Sequence, residues 1–318
     1  MVDLFLGVDG GQSSTTAMVG DADGRVMGLG QDGPCNHVSG PAAREKFINA
    51  IGGAVRKAVA KAGLSAGHRT FRAACFGFSG GAEDKQSLIE EMFEIGTLSV
   101  THDGLIALAG ANSGRPGIIA IAGTGQMAFG RNAAGRTARA GGWGYIFGDE
   151  GGGFDLVRQA LRCALRMEEG WGPTTSLRAA LLEATGARDA NDLLHRFYTV
   201  EWPRQRVAAL ARLVDEAAIA GDVVAIDLLH LAAQHQANFA GAVRTLLFPA
   251  GEPARVAYIG GAFGSLRLRE RFRQLVELAD NVTCGPPELG PAAGALLEAY
   301  RLTGGSVTLS NVPEIEKR

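Results

Sequence analysis

Leu4-Phe5-Leu6-Gly7-Val8-Asp9-Gly10-Gly11-Gln12-Ser13-Ser14-Thr15-Thr16-Ala17-Met18-Val19 is the stretch whose reading decides the fold class. An apolar run enters a turn crowded with glycine and hydroxyl side chains and leaves through a β-branched, apolar run, which predicts two paired strands. A third strand, Arg25 to Leu29, follows the Asp23-Gly24 turn signal. In such a turn the backbone N–H groups can approach a phosphate without interference from Cβ atoms. Asp-Gly-Gly is also ordinary hairpin punctuation, so the turn alone leaves both readings open.

Downstream, apolar residues at Phe47, Ile48, Ile51, Val55, Ala58, Val59 and Ala62 recur at helical spacing and predict an amphipathic helix over 44–62. A strand through Ala73 to Phe78 ends in Ser79-Gly80-Gly81, a helix is expected from about Glu83, and a short strand ends at Thr101-His102-Asp103 before helical sequence after Gly104. Strands alternating with helices indicate a sheet with covered faces, and ligands in such α/β folds gather at strand ends. The pattern then restarts. Gly117 to Ala122 reads as a strand, Gly123-Thr124-Gly125 as a second tight glycine turn and Gln126 to Gly130 as a return strand, which suggests an internal duplication. Helices dominate from Gly152 to about Phe248, the strand Val256 to Ile259 runs into Gly260-Gly261, and a last helix follows Pro291. The expected division is a first α/β domain over 1–115 and a second over 116–290, with the helix at about 291–303 packing back on the first.

The 318 residues are 46% hydrophobic and 20% charged, enough to bury ordinary cores, which argues against disorder. With 31 Lys+Arg against 33 Asp+Glu the net charge is -2, so no broad positive field draws a nucleic acid. No apolar segment approaches the roughly 20 residues that span a bilayer, and the N-terminus lacks the pattern of an export signal. A soluble, cytoplasmic protein without membrane or nucleic-acid partners is expected. Cys35, Cys75, Cys163 and Cys284 lie far apart without metal-ligand spacing, and His230 and His235 read as core or surface histidines on a helix. Neither a P-loop nor a GxGxxG fingerprint joins a strand to a helix.

Asp9-Gly10-Gly11, Asn36-His37, Phe78-Ser79-Gly80-Gly81, Asp103, Gly123-Thr124-Gly125, Gly141-Gly142-Trp143-Gly144 and Gly148-Asp149-Glu150-Gly151 occur in this order. The ordered set resembles the BadF/BadG/BcrA/BcrD ATPase family, which includes N-acetylglucosamine kinase, over nearly the whole chain. The resemblance implies the two-domain actin/hexokinase/Hsp70-like ATPase fold built from duplicated ribonuclease H-like domains. It further implies ATP phosphates at Gly10, Gly11, Gln12, Ser13 and Thr15 and at Thr124 and Gly125, Mg²⁺ near Asp9 through water, and adenosine near Gly260, Gly261 and Gly264. Asn36, Ser79, Asp103, Gly142, Trp143 and Asp149 match residues around the sugar, with Asp103 in the place of the catalytic base, and a homodimer follows by analogy. The family pattern differs here at Gln12, where a third glycine is usual, at Ser13, in a Thr place, and at Gln126, in a Ser place. Members that activate acyl-CoA dehydratases hold an iron–sulfur cluster with closely placed cysteines. This chain lacks that grouping, which favours the kinase branch.

The residues themselves leave alternatives. An aspartate ending a strand at Asp103 can take a proton from an attacking hydroxyl, or it can simply cap the following helix. Trp143 is either a loop anchor packing inward or a platform beside a ligand. Asp149 is either part of an acidic helix start or a sugar contact, and Asn36 either an Asx-turn residue or a sugar contact. The expected activity is ATP-dependent phosphorylation of an amino sugar, N-acetylglucosamine ahead of glucosamine, N-acetylmuramic acid or glucose. A regulatory ATPase acting on a protein partner and a sugar-sensing protein without turnover are the alternatives.

Overall fold

Leu6 and Val8 of β1 (Phe5–Gly10) join one buried cluster while Phe5 joins another, the period-2 alternation of a strand covered on both faces. The computed structural model describes residues 3–35, 41–65, 67–79 and 85–316, and divides them into two compact units, 1–116 with 286–318 and 117–285.

In the first unit β1 pairs antiparallel with β2 (Thr15–Gly20), which pairs antiparallel with β3 (Val26–Asp32). On its other side β1 pairs parallel with β4 (Thr70–Phe78), and β4 pairs parallel with β5 (Glu94–His102), giving the order β3-β2-β1-β4-β5. Helix α1 (Pro41–Lys61) buries Phe47, Ile51, Val55 and Ala58, one helical stripe, against the face that carries Leu6, Val8, Ala74 and Phe76. Between β4 and β5 lies α2 (Gln86–Met92), and after β5 comes α3 (Asp103–Ala111). The opposite face, with Phe5, Met18, Ala73 and Cys75, is covered by the last helix of the chain, which contributes Ala293, Leu296, Ala299 and Tyr300. The Tyr300 ring lies 4.2 Å from that of Phe5, and its hydroxyl donates to the Asp21 carbonyl at 2.6 Å.

The second unit repeats the topology. Strand β6 (Gly117–Ala122) pairs antiparallel with β7 (Gln126–Arg131), which pairs antiparallel with β8 (Thr137–Gly141), and β6 pairs parallel with β9 (Ala254–Ile259). With β10 (Val282–Gly285) parallel to β9, the order β8-β7-β6-β9-β10 reproduces that of the first sheet, so the duplication suggested by the two glycine turns is present in the strand order. The connection between β8 and β9 is helical: α4 (Gly153–Glu168), α5 (Leu177–Thr185), α6 (Ala190–Phe197), α7 (Arg204–Ala209), α8 (Ala211–Ile219) and α9 (Val223–Leu247). The long α9 lies against β6, β7 and β8. After β9 come α10 (Leu266–Val276) and, beyond β10, α11 (Pro291–Leu302), the helix that covers the first sheet. No helix among the described residues is long and apolar enough to cross a membrane.

Candidate active site

In the first unit, strand register sets the geometry. Gly10 is opposite Phe78, and Phe78 is opposite His102, so the residues that follow β1, β4 and β5 emerge side by side at the carboxyl ends of three parallel strands. Ser79 and Asp103 meet there, and the Ser79 hydroxyl donates to Asp103 Oδ2 at 2.8 Å. Asp103 is exposed, and the helix cap is carried by its neighbour: His102 Nδ1 accepts from the Leu105 N–H at 3.2 Å. The capping alternative for Asp103 thus falls to His102.

Asp9, the penultimate residue of β1, is half-buried. Burial first, and then the nearby Glu316 and Asp103 carboxylates, push its carboxyl up from an ordinary 3.8 to about 7. An excess of negative potential around a single inward carboxylate suits a hard divalent cation that draws its remaining ligands from water and phosphate oxygens. Among the described residues no cluster of three or more His, Cys, Asp or Glu could hold a metal alone, so Asp9 fits only that shared mode.

The β1–β2 turn closes through the Gly11 N–H to the Ser14 carbonyl at 2.9 Å, with Gln12 and Ser13 exposed. Gly10 is walled in, since a Cβ there would stand 2.4 Å from the Phe78 ring and 2.7 Å from Cys35 Sγ. Thr15 is fully buried and its hydroxyl donates to the Gly33 carbonyl at 2.8 Å, leaving only acceptor capacity for a ligand. Asn36 lies outside the described residues, as do Gly80 and Gly81.

The second unit holds its own glycine turn. The Gly123 N–H donates to the Gly125 carbonyl at 3.0 Å, and the start of α4 is tied to the turn by the Gly153 N–H to Gly123 O at 2.8 Å and the Phe154 N–H to Thr124 O at 3.0 Å. Gly260, at φ +111°, passes so close that a Cβ would sit 2.4 Å from the Ala122 carbonyl, so only glycine fits. Gly123, Thr124, Gly261 and Gly264 line one cavity of about 430 Å³. Three polar residues that sequence reading passed over, Gln205, Arg212 and Asp215, complete its wall. Asp215 accepts from the Ser265 hydroxyl, 50 residues away in sequence.

Asp149 supports the turn from beneath. It is 4% exposed, sits at φ +65°, accepts from the Gln126 N–H at 3.2 Å and faces Arg204 at 3.3 Å. A direct sugar contact at Asp149, which the resemblance implies, is left only to lone pairs that these partners do not use. Gln126 is 3% exposed, and neither its amide nitrogen nor its amide oxygen has a partner among the described residues. The Gly142 N–H donates to the Gln126 carbonyl at 3.0 Å, which fixes the start of the loop carrying Trp143. Trp143 is 68% exposed under the Arg139 guanidinium, 5.0 Å from its ring, so it is not an inward anchor.

The model of the BadF/BadG/BcrA/BcrD ATPase family matches residues 6–299. This chain belongs to that family. The N-acetylmuramic acid/N-acetylglucosamine kinase of Clostridium acetobutylicum is 33% identical over 280 residues, covering 86% of this chain and 90% of the relative. The N-acetyl-D-glucosamine kinase of Dictyostelium discoideum is 31% identical, covering 70% and 73%. Among solved structures, a protein described as a putative N-acetylglucosamine kinase from Chromobacterium violaceum superposes with a TM-score of 0.71 at 29% identity, covering 93% of this chain and 98% of that one. The fold of this family member is the duplicated actin/hexokinase-like one expected for an ATPase, and membership brings use of ATP.

Two predictions follow from the buried polar groups. The folded chain keeps the Asp9 proton that the unfolded chain has lost between about pH 4 and 7, so stability from this group is present at low pH and falls as pH rises through that window. Asp9→Asn should therefore melt higher than the parent at pH 8, by on the order of 2 kcal/mol after allowance for partial exposure, with the difference vanishing only below about pH 3. It should also lose any Mg²⁺-induced rise in melting temperature; parallel pH profiles for the two proteins would contradict the assignment. Gln126→Met replaces an unpartnered amide by an apolar side chain of similar length and should stabilise the ligand-free protein by about 1 kcal/mol. The same variant should gain less melting temperature from nucleotide, whereas a lowered melting temperature without ligand would show that the amide is paired within the fold.

Proposed function

We propose that this chain transfers the γ-phosphoryl group of ATP to a hydroxyl of an amino sugar, with N-acetylglucosamine the first substrate and glucosamine or N-acetylmuramic acid the alternatives. The names of the relatives, at 33% and 31% identity over most of both chains, support the reaction class. The observation that carries the reading is the meeting of Ser79 and Asp103 beside Asp9 at one sheet edge, with Asp103 exposed and relieved of capping by His102.

In this reading Asp103 accepts the proton of the attacking hydroxyl, while the Ser79 hydroxyl holds Oδ2 so that the other carboxylate oxygen faces the substrate. Backbone N–H groups of the two glycine turns, at Gln12 and Ser13 and at Thr124 and Gly125, offset the charge of the phosphates as it redistributes, with Gly11 closing the first turn onto Ser14. Asp9 would hold Mg²⁺ through water, and the cation, when bound, would supply neutralisation of phosphate charge. Adenosine occupies the 430 Å³ cavity lined by Gly261 and Gly264, next to Gly260, and Asp215 of the same lining accepts a ribose hydroxyl hydrogen. Asn36, Gly142 and Trp143 are assigned to the sugar. Asp149 is assigned to holding the second turn through the Gln126 N–H, with Arg204 as its counter-charge.

Asp103→Asn keeps the shape of the side chain and leaves the His102 cap untouched, so melting temperature and nucleotide affinity should stay at parent values. Sugar-dependent kcat should fall about 10²–10⁴-fold. Near-normal turnover would remove Asp103 from the base role.

A further inference from the structure

Helices α4 and α7 separate two cavities of the second unit. Gly153 and Leu156 of α4 and Gln205 and Ala208 of α7 face the cavity assigned to adenosine. Phe154, Arg158 and Leu161 of α4 and Arg204 and Val207 of α7 face another, of about 580 Å³, which the reaction proposed above leaves unused.

The charged residues lining this second cavity are all arginines: Arg158, Arg162 and Arg204. Two are held from behind, Arg158 by Asp155 at 2.6 Å and by the Tyr145 carbonyl at 3.2 Å, and Arg204 by Asp149 at 3.3 Å. Arg162 is exposed, and among the described residues its guanidinium bonds only to the Gln159 amide oxygen, at 3.5 Å. Three guanidinium groups against two carboxylates leave the cavity a net positive charge. A phosphate monoester brings roughly two negative charges and three acceptor oxygens, which suits several guanidinium forks converging on one group.

The remaining wall is aromatic and aliphatic. Tyr145, with the Phe154 ring 5.3 Å away and the Arg204 guanidinium 5.1 Å from its own ring, stands against α4, and Phe197, Tyr198 and Trp202 belong to the segment that leads into α7. Tyr198 is 84% exposed, so its ring is turned to solvent rather than spent on the core. An exposed aromatic face beside arginines is the arrangement on which a nucleobase stacks while its phosphate is neutralised, and every base offers a face for it. Leu161, Leu165, Leu194 and Val207 carry no donor or acceptor with which to read a base edge, so the site distinguishes phosphate and ring rather than one base from another.

We propose that this cavity is a second nucleotide site, separate from the one that takes ATP: it binds a nucleoside monophosphate, with the phosphate on Arg158, Arg162 and Arg204 and the base on Tyr198. Titration calorimetry tests it with AMP and UMP as probes, added after a nonhydrolysable ATP analogue and N-acetylglucosamine have been brought to saturation. Both monophosphates should still bind, each roughly tenfold or more tighter than adenosine, uridine or inorganic phosphate, since each control lacks either the phosphate or the ring.

The altered side chains in Arg162→Glu and Tyr198→Ala are both exposed and leave the pairs Arg158–Asp155 and Arg204–Asp149 intact. Arg162→Glu should weaken AMP and UMP by more than about tenfold, and Tyr198→Ala by about tenfold. In both variants the affinity for the ATP analogue, titrated alone, should stay within about twofold of the parent, which a general loss of structure would not allow. Failure of both monophosphates to bind once ATP analogue and sugar are in place would overturn the proposal. So would binding that the two substitutions leave unchanged, or inorganic phosphate binding as tightly as the esters. None of these readings depends on turnover, so they decide the cavity even if no sugar is phosphorylated.

Discussion

The parallel register of β1, β4 and β5 is the constraint on which the candidate site depends. Because Gly10, Phe78 and His102 stand opposite one another, the three strands end together, and whatever follows each strand is delivered to one edge. Asp9, Ser79 and Asp103 come from positions up to 94 residues apart in the chain, yet need no individual steering once the sheet forms. The helices on both faces, α1 on one side and α11 on the other, hold that register by burying alternate residues of the same strands. A one-residue slip in β4 would exchange its buried faces and would separate Ser79 from Asp103 at once.

The second unit spends its polarity differently. Its glycine turn is held by backbone hydrogen bonds to the start of α4 and by a buried carboxylate, Asp149, that reaches the turn at the Gln126 N–H. Asp149 in turn faces Arg204, whose guanidinium lies over Tyr145. A chain of contacts thus runs from the turn assigned to phosphate through the buried Asp149 carboxylate to Arg204 and the exposed Tyr145 ring. The Gln126 amide, which has no partner among the described residues, is part of the same region.

Much of this architecture was legible in the sequence because its signals are local. Glycine turns announce themselves through the absence of side chains, and the stripe from Phe47 to Ala58 and the alternation around Leu6 and Val8 report helix and strand directly. The short edges were harder. Strand β8 has the sequence Thr-Ala-Arg-Ala-Gly, and β10 has only four residues with Val282 alone buried, so neither carries the apolar run that identifies a strand. The cap of α3 turned on one residue: His102 and Asp103 both carry acceptors, and only the backbone geometry assigns the duty to His102. Arg204 against Asp149 and Ser265 against Asp215 join positions 55 and 50 apart, contacts created by packing that no spacing rule encodes. Arg212 and Asp215 carry no motif of their own, and only the cavity they line gives them a use.

The central claim is that ATP is spent on a sugar hydroxyl rather than on water. Release of ADP measured with and without N-acetylglucosamine, together with ³¹P detection of the product, tests it most directly. The account predicts ADP release that depends on the sugar and matches formation of a sugar phosphate mole for mole. Release of ADP and inorganic phosphate at the same rate with or without sugar would contradict it.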